Sequence, residues 1–244
     1  MNSVIWAHRG ASAYFPENTI PAFEGAKAMK ADGVELDVHA TSDGKIVVSH
    51  DGNLKRCGGV NLEIASSTYD EIRKIPVPAG FAEYPNVRIP LLSDVFELLS
   101  GTGMTINVEI KSGWEYDNIV KLVKLTHDMQ MQKQVLYSSF DHTALYIVRA
   151  LDPDCRLGAL YGTRTIPAAG KYAKALGLTE LHPHYSICGD PGFVSDAAGY
   201  GVNVNPWTVN DEATVAEMIR CGCHGIITNC PDMAKQVRDR LAKA

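Results

Sequence analysis

The sequence predicts an α/β fold, a single (β/α)₈ TIM barrel, from three observations. The chain has 244 residues, a length that such barrels commonly use for one domain. Short apolar runs rich in β-branched residues alternate with amphipathic stretches, as parallel strands and their crossover helices do. The strand-like runs number eight and span residues 3–7, 33–38, 104–110, 135–139, 156–160, 180–182, 202–205 and 225–228. We therefore expect one domain over residues 1–244.

Helix starts between these runs carry recognisable signals. Asn18 lies at a turn before Pro21, and an apolar face follows, which is the usual order at a helix N-terminus. Ser93 precedes a second apolar run. Asn210 precedes a third run, whose first turn carries the acidic residues that the helix dipole favours. A crossover helix is thus predicted after most strands, with the weakest signals after the fifth and sixth.

One connection is too long for a simple crossover. Residues 43–90 contain a strand-like run at 45–49, several glycines and prolines, and a short helical stretch near 69–74. The loops that follow the strands build the mouth of a barrel. We therefore expect residues 43–90 to form a small insertion subdomain after the second strand, over the barrel mouth.

The composition is that of an ordinary globular chain. Hydrophobic residues make up 45% and charged residues 21%, so the chain can bury a sizeable core, and disorder is excluded. The formal net charge of -5 provides no basic field to attract nucleic acid. No signal peptide and no apolar run long enough for a membrane span are present, so a cytoplasmic location is the simplest expectation. Both a monomer and a homo-oligomer agree with this composition.

The six cysteines show no spacing of a disulfide-rich scaffold, and we expect them to be reduced. Four zinc-type ligands lie close together near the C-terminus: Cys221, Cys223, His224 and Cys230. Structural zinc usually takes two separated ligand pairs, whereas these residues surround a predicted helix end and an apolar strand. We therefore predict helix-end and core cysteines here, and no zinc site.

Three carboxylates interrupt apolar strands. Glu35 and Asp37 lie two residues apart on one face of the second strand, and Glu109 lies in the third. The carboxyl ends of barrel strands meet at one mouth, where three carboxylates would repel each other unless a cation lay between them. Their oxygen atoms suit Mg²⁺, Ca²⁺ or Mn²⁺, and we expect one divalent cation at this site.

Four further residues with charged or titratable side chains are expected at the same mouth. His8 and Arg9 follow the first strand. Lys111 follows the third strand, and His50 ends the strand-like run of the insertion. The two histidines could exchange protons with attacking and leaving oxygens, while Arg9 and Lys111 could bind phosphate oxygens. A cation, two bases and two positive charges together favour phosphoryl transfer.

Several short motifs along the chain contain these residues. They are HRGAS at 8–12, PENT at 16–19, ELDV at 35–38, VVSHD at 47–51, NVEIK at 107–111, NPWTVN at 205–210 and GIITNCPD at 225–232. In this order and spacing they resemble the motifs of the glycerophosphodiester phosphodiesterase family, over nearly the whole chain.

The resemblance implies metal-dependent hydrolysis of glycerophosphodiesters, small molecules that would yield glycerol 3-phosphate and an alcohol. It implies that His8 and His50 are the acid/base pair and that Arg9 and Lys111 contact the phosphate. Both water and the substrate's own 2-hydroxyl remain open as the nucleophile. The roles of the two histidines as acid and base also remain open.

The resemblance extends to the pocket and the insertion. It implies that Trp207 and Phe140 line the pocket for the glycerol or the alcohol, and that residues 43–90 are the small subdomain typical of the family. Asn229 is a departure, because the family usually has an aspartate there.

Two alternatives remain. A related barrel lyase would act on phospholipid head groups and stop at a cyclic phosphate, but it would want an exposed apolar rim, which the sequence does not show. A catalytically idle barrel would bind a phosphorylated ligand, but it would have no reason to keep both histidines.

Overall fold

A computed structural model of the protein describes residues 3–164 and 167–243. Residues 1, 2, 165, 166 and 244 of the expected domain lie outside these ranges. Within the ranges the strands are β1 (Val4–His8), β2 (Gly33–Ala40), β3 (Ile46–Val48), β4 (Thr105–Ile110), β5 (Val135–Ser139), β6 (Arg156–Tyr161), β7 (Glu180–Pro183), β8 (Asn203–Val204) and β9 (Gly225–Thr228). The helices are α1 (Ile20–Ala28), α2 (Lys55–Gly58), α3 (Tyr69–Ile72), α4 (Leu92–Leu99), α5 (Tyr116–Asp128), α6 (His142–Leu151), α7 (Ala169–Ala175), α8 (Tyr185–Cys188), α9 (Pro191–Gly199), α10 (Glu212–Arg220) and α11 (Pro231–Leu241).

Eight of these strands form one parallel barrel. Their order is β8, β7, β6, β5, β4, β2, β1 and β9, and β3 pairs with β2 in the antiparallel direction. Two backbone contacts connect the ends of this series: the amide of His224 donates to Val204 O at 2.9 Å, and the amide of Ile227 donates to Pro206 O at 3.0 Å. Each of the eight predicted strand-like runs overlaps a barrel strand. The predicted (β/α)₈ fold is therefore confirmed.

The helices pack apolar faces against the barrel, as α4 illustrates. Its fully buried residues recur at the spacing of one helical face: Leu92, Val95, Phe96 and Leu99. Burying a side chain of this size contributes about 1.5–3 kcal/mol. The helix begins one residue before Ser93, because the Asp94 carboxylate accepts a hydrogen bond from the amide of Leu91 at 3.1 Å. No helix in the described part of the chain is long and apolar enough to cross a membrane.

Residues 43–90 contain a small hydrophobic cluster of their own. Its buried members are Val47, Leu54, Ile64, Ile72, Val77 and Ile89. Strand β3 lies between this cluster and the main core: Val47 belongs to the cluster, whereas Ile46 and Val48 belong to the main core. Alternate residues of a strand point to opposite faces, so β3 joins the two. The short helices α2 and α3 also lie in this segment.

Inside the barrel, an apolar layer lies below the mouth. Trp6, Leu136 and Ile227, from β1, β5 and β9, are buried and form this layer. The ring of Trp6 also meets that of His182 edge-on, with centroids 5.6 Å apart. Inward side chains of barrel strands stack in layers, so residues closer to the carboxyl ends lie above this layer. Those positions carry the polar residues that the sequence predicts as functional.

The zinc-type ligands near the C-terminus have different surroundings. Cys223 is buried in the main core, whereas Cys230 directly precedes α11. His224 Nδ1 lies 3.1 Å from Asn205 Oδ1. All six cysteines are free. The absence of zinc stays a prediction.

Gly10, two residues after the end of β1, lies where the turn requires a glycine. Its φ is +79°, and a Cβ built there would lie 2.6 Å from the backbone carbon of Ala22 in α1. We expect Gly10→Ala to lower the free energy of unfolding by more than about 3 kcal/mol, since it combines left-handed strain with a clash against backbone. Urea unfolding measures this loss.

Gly101→Ala is the matched control for this change. Gly101 also has a positive φ, +71°, but within the described chain no atom beyond Gly101 and its two chain neighbours lies within 4 Å of a Cβ built there. The control should therefore cost only the conformational strain, about 1 kcal/mol. Equal losses in the two variants would contradict a steric role for the contact with Ala22.

Candidate active site

The adjacent strands β2 and β4 bring three carboxylates together. Glu35 and Asp37 alternate with apolar residues along β2, and Asp37 is paired in register with Glu109 of β4. All three side chains are buried, and each offers an oxygen within 4.8 Å of the other two. The structure thus brings together the three residues that the sequence predicts as metal ligands.

Burial and mutual repulsion make these carboxylates hard to ionise together. Burial, followed by the charges of Asp37 and Glu109, raises the pKa of Glu35 well above its usual value. Burial and Asp37 likewise raise the pKa of Glu109 to about 7. Burial also opposes ionisation of Asp37, but Lys111 and Arg9 outweigh it and hold the pKa of Asp37 below its usual value. A cation among the three would relieve this repulsion, so the set of oxygen donors fits a divalent metal ion.

Two basic side chains partly balance this negative charge. Lys111 Nζ donates to Asp37 Oδ1 at 2.9 Å and to Glu109 Oε1 at 2.6 Å. Arg9 has a left-handed backbone, with φ 56°, and its amide donates to Glu35 Oε2 at 3.1 Å. Arg9 Nε lies 3.4 Å from Asp37 Oδ2, in ion-pair contact. Both basic residues therefore lie against the carboxylates, and both line the same cavity.

His8, at the end of β1, is held by Asn229. Its Nδ1 lies 2.6 Å from Asn229 Oδ1, and since an amide oxygen only accepts, Nδ1 carries the proton in this contact. Nε2 lies 3.9 Å from Glu35 Oε2. Burial, followed by the charge of Arg9, lowers the pKa of His8 to about 4, so the ring is neutral at physiological pH. His8 can therefore accept a proton at Nε2.

His50, which follows β3, has a charged partner instead. Its Nδ1 donates to Asp51 Oδ1 at 2.6 Å, and Asp51 Oδ2 accepts from Arg56 Nε at 2.6 Å. The side chain of His50 is 34% exposed, against 15% for His8, so His50 lies nearer to solvent. A carboxylate at Nδ1 stabilises the charge that an imidazole ring carries when both nitrogens are protonated. The two histidines thus differ in the kind of group that orients them.

A cavity of about 110 Å³ lies between these groups. Eight of the nine predicted site residues line it, Asp37 being the exception. One wall is aromatic, because the rings of Phe140 and Trp207 meet edge-on with centroids 5.6 Å apart. Trp207 Nε1 donates to the carbonyl oxygen of His182 at 2.9 Å, which fixes the indole. Phe140 is 45% exposed, so this wall presents an apolar surface at the mouth.

Known proteins resemble this chain in sequence and in fold. Residues 8–233 match the Glycerophosphoryl diester phosphodiesterase family. A glycerophosphodiester phosphodiesterase of Caldanaerobacter subterraneus subsp. tengcongensis is 37% identical over 236 residues, which cover 95% of this chain and 96% of the relative. A protein of the same name from Bacillus altitudinis is 35% identical over 243 residues, which cover 97% of this chain and 98% of the relative.

The chain belongs to the glycerophosphodiester phosphodiesterase family. A solved structure agrees, that of an Oleispira antarctica phosphodiesterase in complex with the product sn-glycerol-3-phosphate. It has a TM-score of 0.89 and 29% identity to this chain, and the alignment covers 97% of this chain and 96% of that one. The resemblance predicted from the motifs is confirmed, and as a member of this family the protein is a phosphodiesterase.

Three residues at the mouth of this phosphodiesterase have contacts that the sequence did not predict. Asn18, expected only at a turn, donates from Nδ2 to Asp37 Oδ2 at 2.8 Å. Glu17 accepts two hydrogen bonds from Arg56, both at 2.8 Å, and one from Arg9 at 3.0 Å. Because Arg56 lies on α2, these contacts connect the insertion to the loop after β1. No local pattern marks Arg56 for the contact with Glu17, since the two residues are 39 positions apart in the sequence.

His8 is oriented by Asn229, the position where the resemblance described above implies an aspartate. Asn229 is itself held by Asn210, whose Oδ1 accepts from the amide of Asn229 at 2.8 Å. Asn210 therefore does not cap α10. That cap lies one residue later, at Asp211, whose side chain accepts from the amide of Thr214 at 2.9 Å.

Proposed function

We propose that this phosphodiesterase is metal-dependent and hydrolyses glycerophosphodiesters to glycerol 3-phosphate and an alcohol. The observation that carries the proposal is the convergence of Glu35, Asp37 and Glu109 within 4.8 Å, beside a cavity that His8 and His50 also line. Displacement at a phosphodiester needs positive charge at the non-bridging oxygens and proton transfer at the entering and leaving oxygens. The product complex of the Oleispira antarctica relative supports the choice of glycerol 3-phosphate.

One divalent cation, Mg²⁺, Ca²⁺ or Mn²⁺, would be held by these carboxylates, whose hard oxygens suit all three ions. When bound, such an ion supplies positive charge to the non-bridging oxygens of the phosphate. Arg9 and Lys111 would bind the same phosphate. Lys111 has three ammonium hydrogens and uses two of them on carboxylates. The guanidinium of Arg9 offers five N–H donors, so both residues keep donors for the substrate.

We assign His8 as the general base and His50 as the general acid. His8 is neutral and donates from Nδ1 to an amide oxygen, so its Nε2 lone pair can take a proton from the nucleophile. His50 donates from Nδ1 to the Asp51 carboxylate, which would stabilise the ring while Nε2 holds the proton for the departing alkoxide. Water and the substrate's 2-hydroxyl both fit as the nucleophile, because either loses one proton to His8.

Phe140 and Trp207 would pack against the carbon atoms of the glycerol or the alcohol, since they form the aromatic wall of the cavity.

We propose in addition that residues 43–90 form a subdomain within one domain over residues 1–244, and their separate hydrophobic cluster supports this. The cytoplasmic location and the choice between monomer and homo-oligomer stay predictions.

An assay of the purified protein with glycerophosphocholine tests the proposal. We expect glycerol 3-phosphate and choline in equal amounts, because cleavage of one P–O bond yields one molecule of each. Excess EDTA should abolish the release, and added Mg²⁺, Mn²⁺ or Ca²⁺ should restore it, because three carboxylates need a cation to face an anionic phosphate. Full turnover in EDTA would contradict the metal dependence. A cyclic phosphate as the final product would favour a lyase.

A further inference from the structure

The cavity is lined by two buried polar residues that the proposed mechanism does not use. Together with the buried apolar residues Leu160 and Ile227, they form what we call the floor of the cavity. Asn107 is 1% exposed and Ser138 is fully buried, and both line the cavity. Within the described residues, neither Asn107 Oδ1 nor Ser138 Oγ has a hydrogen-bond partner. Asn107 Nδ2, by contrast, lies 3.4 Å from His182 Nδ1. A buried polar atom without a partner costs about 1–3 kcal/mol, so these two atoms favour a ligand that can pair with them.

Both residues lie directly beside the carboxylate cluster. Asn107 precedes Glu109 by two residues on β4, so the two side chains share the inward face. Ser138 of β5 is paired in register with Glu109. The remaining floor residues, Leu160 and Ile227, are apolar, whereas the two carboxylates that line the cavity, Glu35 and Glu109, lie in register with Asn107 and Ser138 and are proposed ligands of the cation. The floor therefore suits an uncharged group that carries hydroxyls.

We infer that Asn107 and Ser138 bind the hydroxyl groups of the substrate's glycerol, so that the glycerol end enters the barrel and the variable alcohol remains at the rim. A glycerol hydroxyl can donate to Asn107 Oδ1, and Ser138 Oγ can donate to, or accept from, a hydroxyl. This inference rests on the proposed function and specifies how that site selects its substrate. A site built to pair with a hydroxyl rejects analogues that lack it far better than an apolar pocket does.

Charge distinguishes the two ends of the substrate. Choline and ethanolamine are cationic alcohols, and next to the floor the guanidinium of Arg9, the ammonium of Lys111 and the proposed divalent cation would all repel a cationic head group. The rim next to the insertion offers the carboxylates of Asp51 and Glu17 instead, where Arg56 already pairs with both. Glycerol is uncharged and small, so it is the end that fits the floor.

Two diester substrates separate this role from a structural one. Glycerophosphocholine carries both glycerol hydroxyls, whereas p-nitrophenyl phosphocholine has no glycerol and has an activated leaving group. We expect Ser138→Ala and Asn107→Leu each to lower kcat/KM on glycerophosphocholine by about 10- to 100-fold, the usual effect of removing a buried hydrogen bond to a substrate. The rate on p-nitrophenyl phosphocholine should stay close to that of the wild type.

Inhibition of the p-nitrophenyl reaction gives a direct measure of binding. Glycerol 3-phosphate should inhibit the wild type more strongly than 1-propyl phosphate, which has the same carbon chain without hydroxyls, and each variant should lose much of this preference. Ser139→Ala is the matched control, because Ser139 is the neighbouring buried serine of β5 and its Oγ donates to Ile110 O at 2.7 Å. This control should change neither the substrate ratio nor the inhibitor preference.

Equal losses on the two substrates, or an unchanged preference for glycerol 3-phosphate in both variants, would overturn the inference. A wild-type protein that cleaves p-nitrophenyl phosphocholine but not glycerophosphocholine would instead overturn the proposed function and the inference with it. Ser138→Ala removes a single oxygen atom, so it preserves the test even if Asn107→Leu fails to fold.

Discussion

Replacing either His8 or His50 with alanine is expected to lower kcat on glycerophosphocholine by about 10²–10⁴-fold, with cation binding retained. Both side chains line the cavity, and each has its Nδ1 engaged outside it, on Asn229 and Asp51 respectively. The two losses have different causes. Without His8, the nucleophile has no proton acceptor, and without His50, the departing alkoxide has no proton donor.

A change of leaving group distinguishes these causes. When p-nitrophenol replaces the alkyl alcohol of the glycerophosphodiester, the departing anion is already stable and needs little protonation. The His50→Ala variant should then recover most of its lost rate, because it lacks only the general acid. The His8→Ala variant should stay slow on both substrates. Steady-state kcat for both variants and both substrates provides the comparison.

His127→Ala is the matched control for this experiment. His127 also pairs with an aspartate, since its Nε2 lies 3.0 Å from Asp152 Oδ2, but it lies on α5 and does not line the catalytic cavity. This variant should keep the wild-type kcat on both substrates. Equal losses for the His8 and His50 variants on both substrates would contradict the split roles and would favour phosphate binding or support of the metal site.

Glu35→Gln is expected to remove nearly all activity and yet to stabilise the protein in EDTA. The change removes one proposed ligand of the cation, and the several kcal/mol that a metal ion contributes to a transition state correspond to about 10³-fold or more in kcat. In the chelated protein, it removes a buried charge that Asp37 and Glu109 repel. Each kcal/mol gained should raise Tm by about 2–4 °C in a chain of this size.

This stabilisation should grow as pH rises. The pKa of Glu35 in the folded protein lies above its ordinary value of 4.5, so the folded state holds a proton that the unfolded chain loses first. The contribution of Glu35 to the stability of the wild type therefore falls as pH rises above 4.5. Glutamine does not titrate, so the difference in Tm should be small near about pH 4 and larger near about pH 8. Thermal unfolding in EDTA at the two pH values measures it.

The response to added cation completes this test. Mg²⁺ or Ca²⁺ should raise the Tm of the wild type, because a ligand that binds only the folded state stabilises it by mass action, and should have little effect on Glu35→Gln. Glu24→Gln is the control, since Glu24 is exposed on α1. It should match the wild type in activity, Tm and cation response. A cation response in Glu35→Gln equal to that of the wild type would contradict Glu35 as a ligand.

The barrel strands and the carboxylate cluster were predictable from sequence because both leave a local pattern. Apolar runs rich in β-branched residues identify the strands without any tertiary information. Glu35, Asp37 and Glu109 are recognisable as charged residues inside such runs. The topology of a barrel then requires their side chains to meet, since the carboxyl ends of all its strands form one mouth.

The remaining features depend on contacts between distant segments. His8 and Asn229 are 221 residues apart and meet because β1 and β9 are neighbours in the barrel. Arg56 meets Glu17 across 39 residues, from a segment whose position on the barrel no periodicity predicts. From the sequence alone, Ser138 is a serine within a predicted strand, with nothing to indicate a function. Its role as a candidate ligand of the substrate depends on the shape of the cavity, which only the folded chain defines.

The two faces of strand β3 pack against different hydrophobic clusters, and this affects how such an enzyme can evolve. The residues of 43–90 pack around a hydrophobic cluster that is separate from the main core, and Val47 is the member of β3 that joins it. Mutations within that cluster can therefore reshape the rim while the strands that carry the carboxylates keep their packing. If the variable alcohol lies at this rim, as inferred above, changes in this cluster would alter which alcohol is preferred and leave the catalytic residues in place.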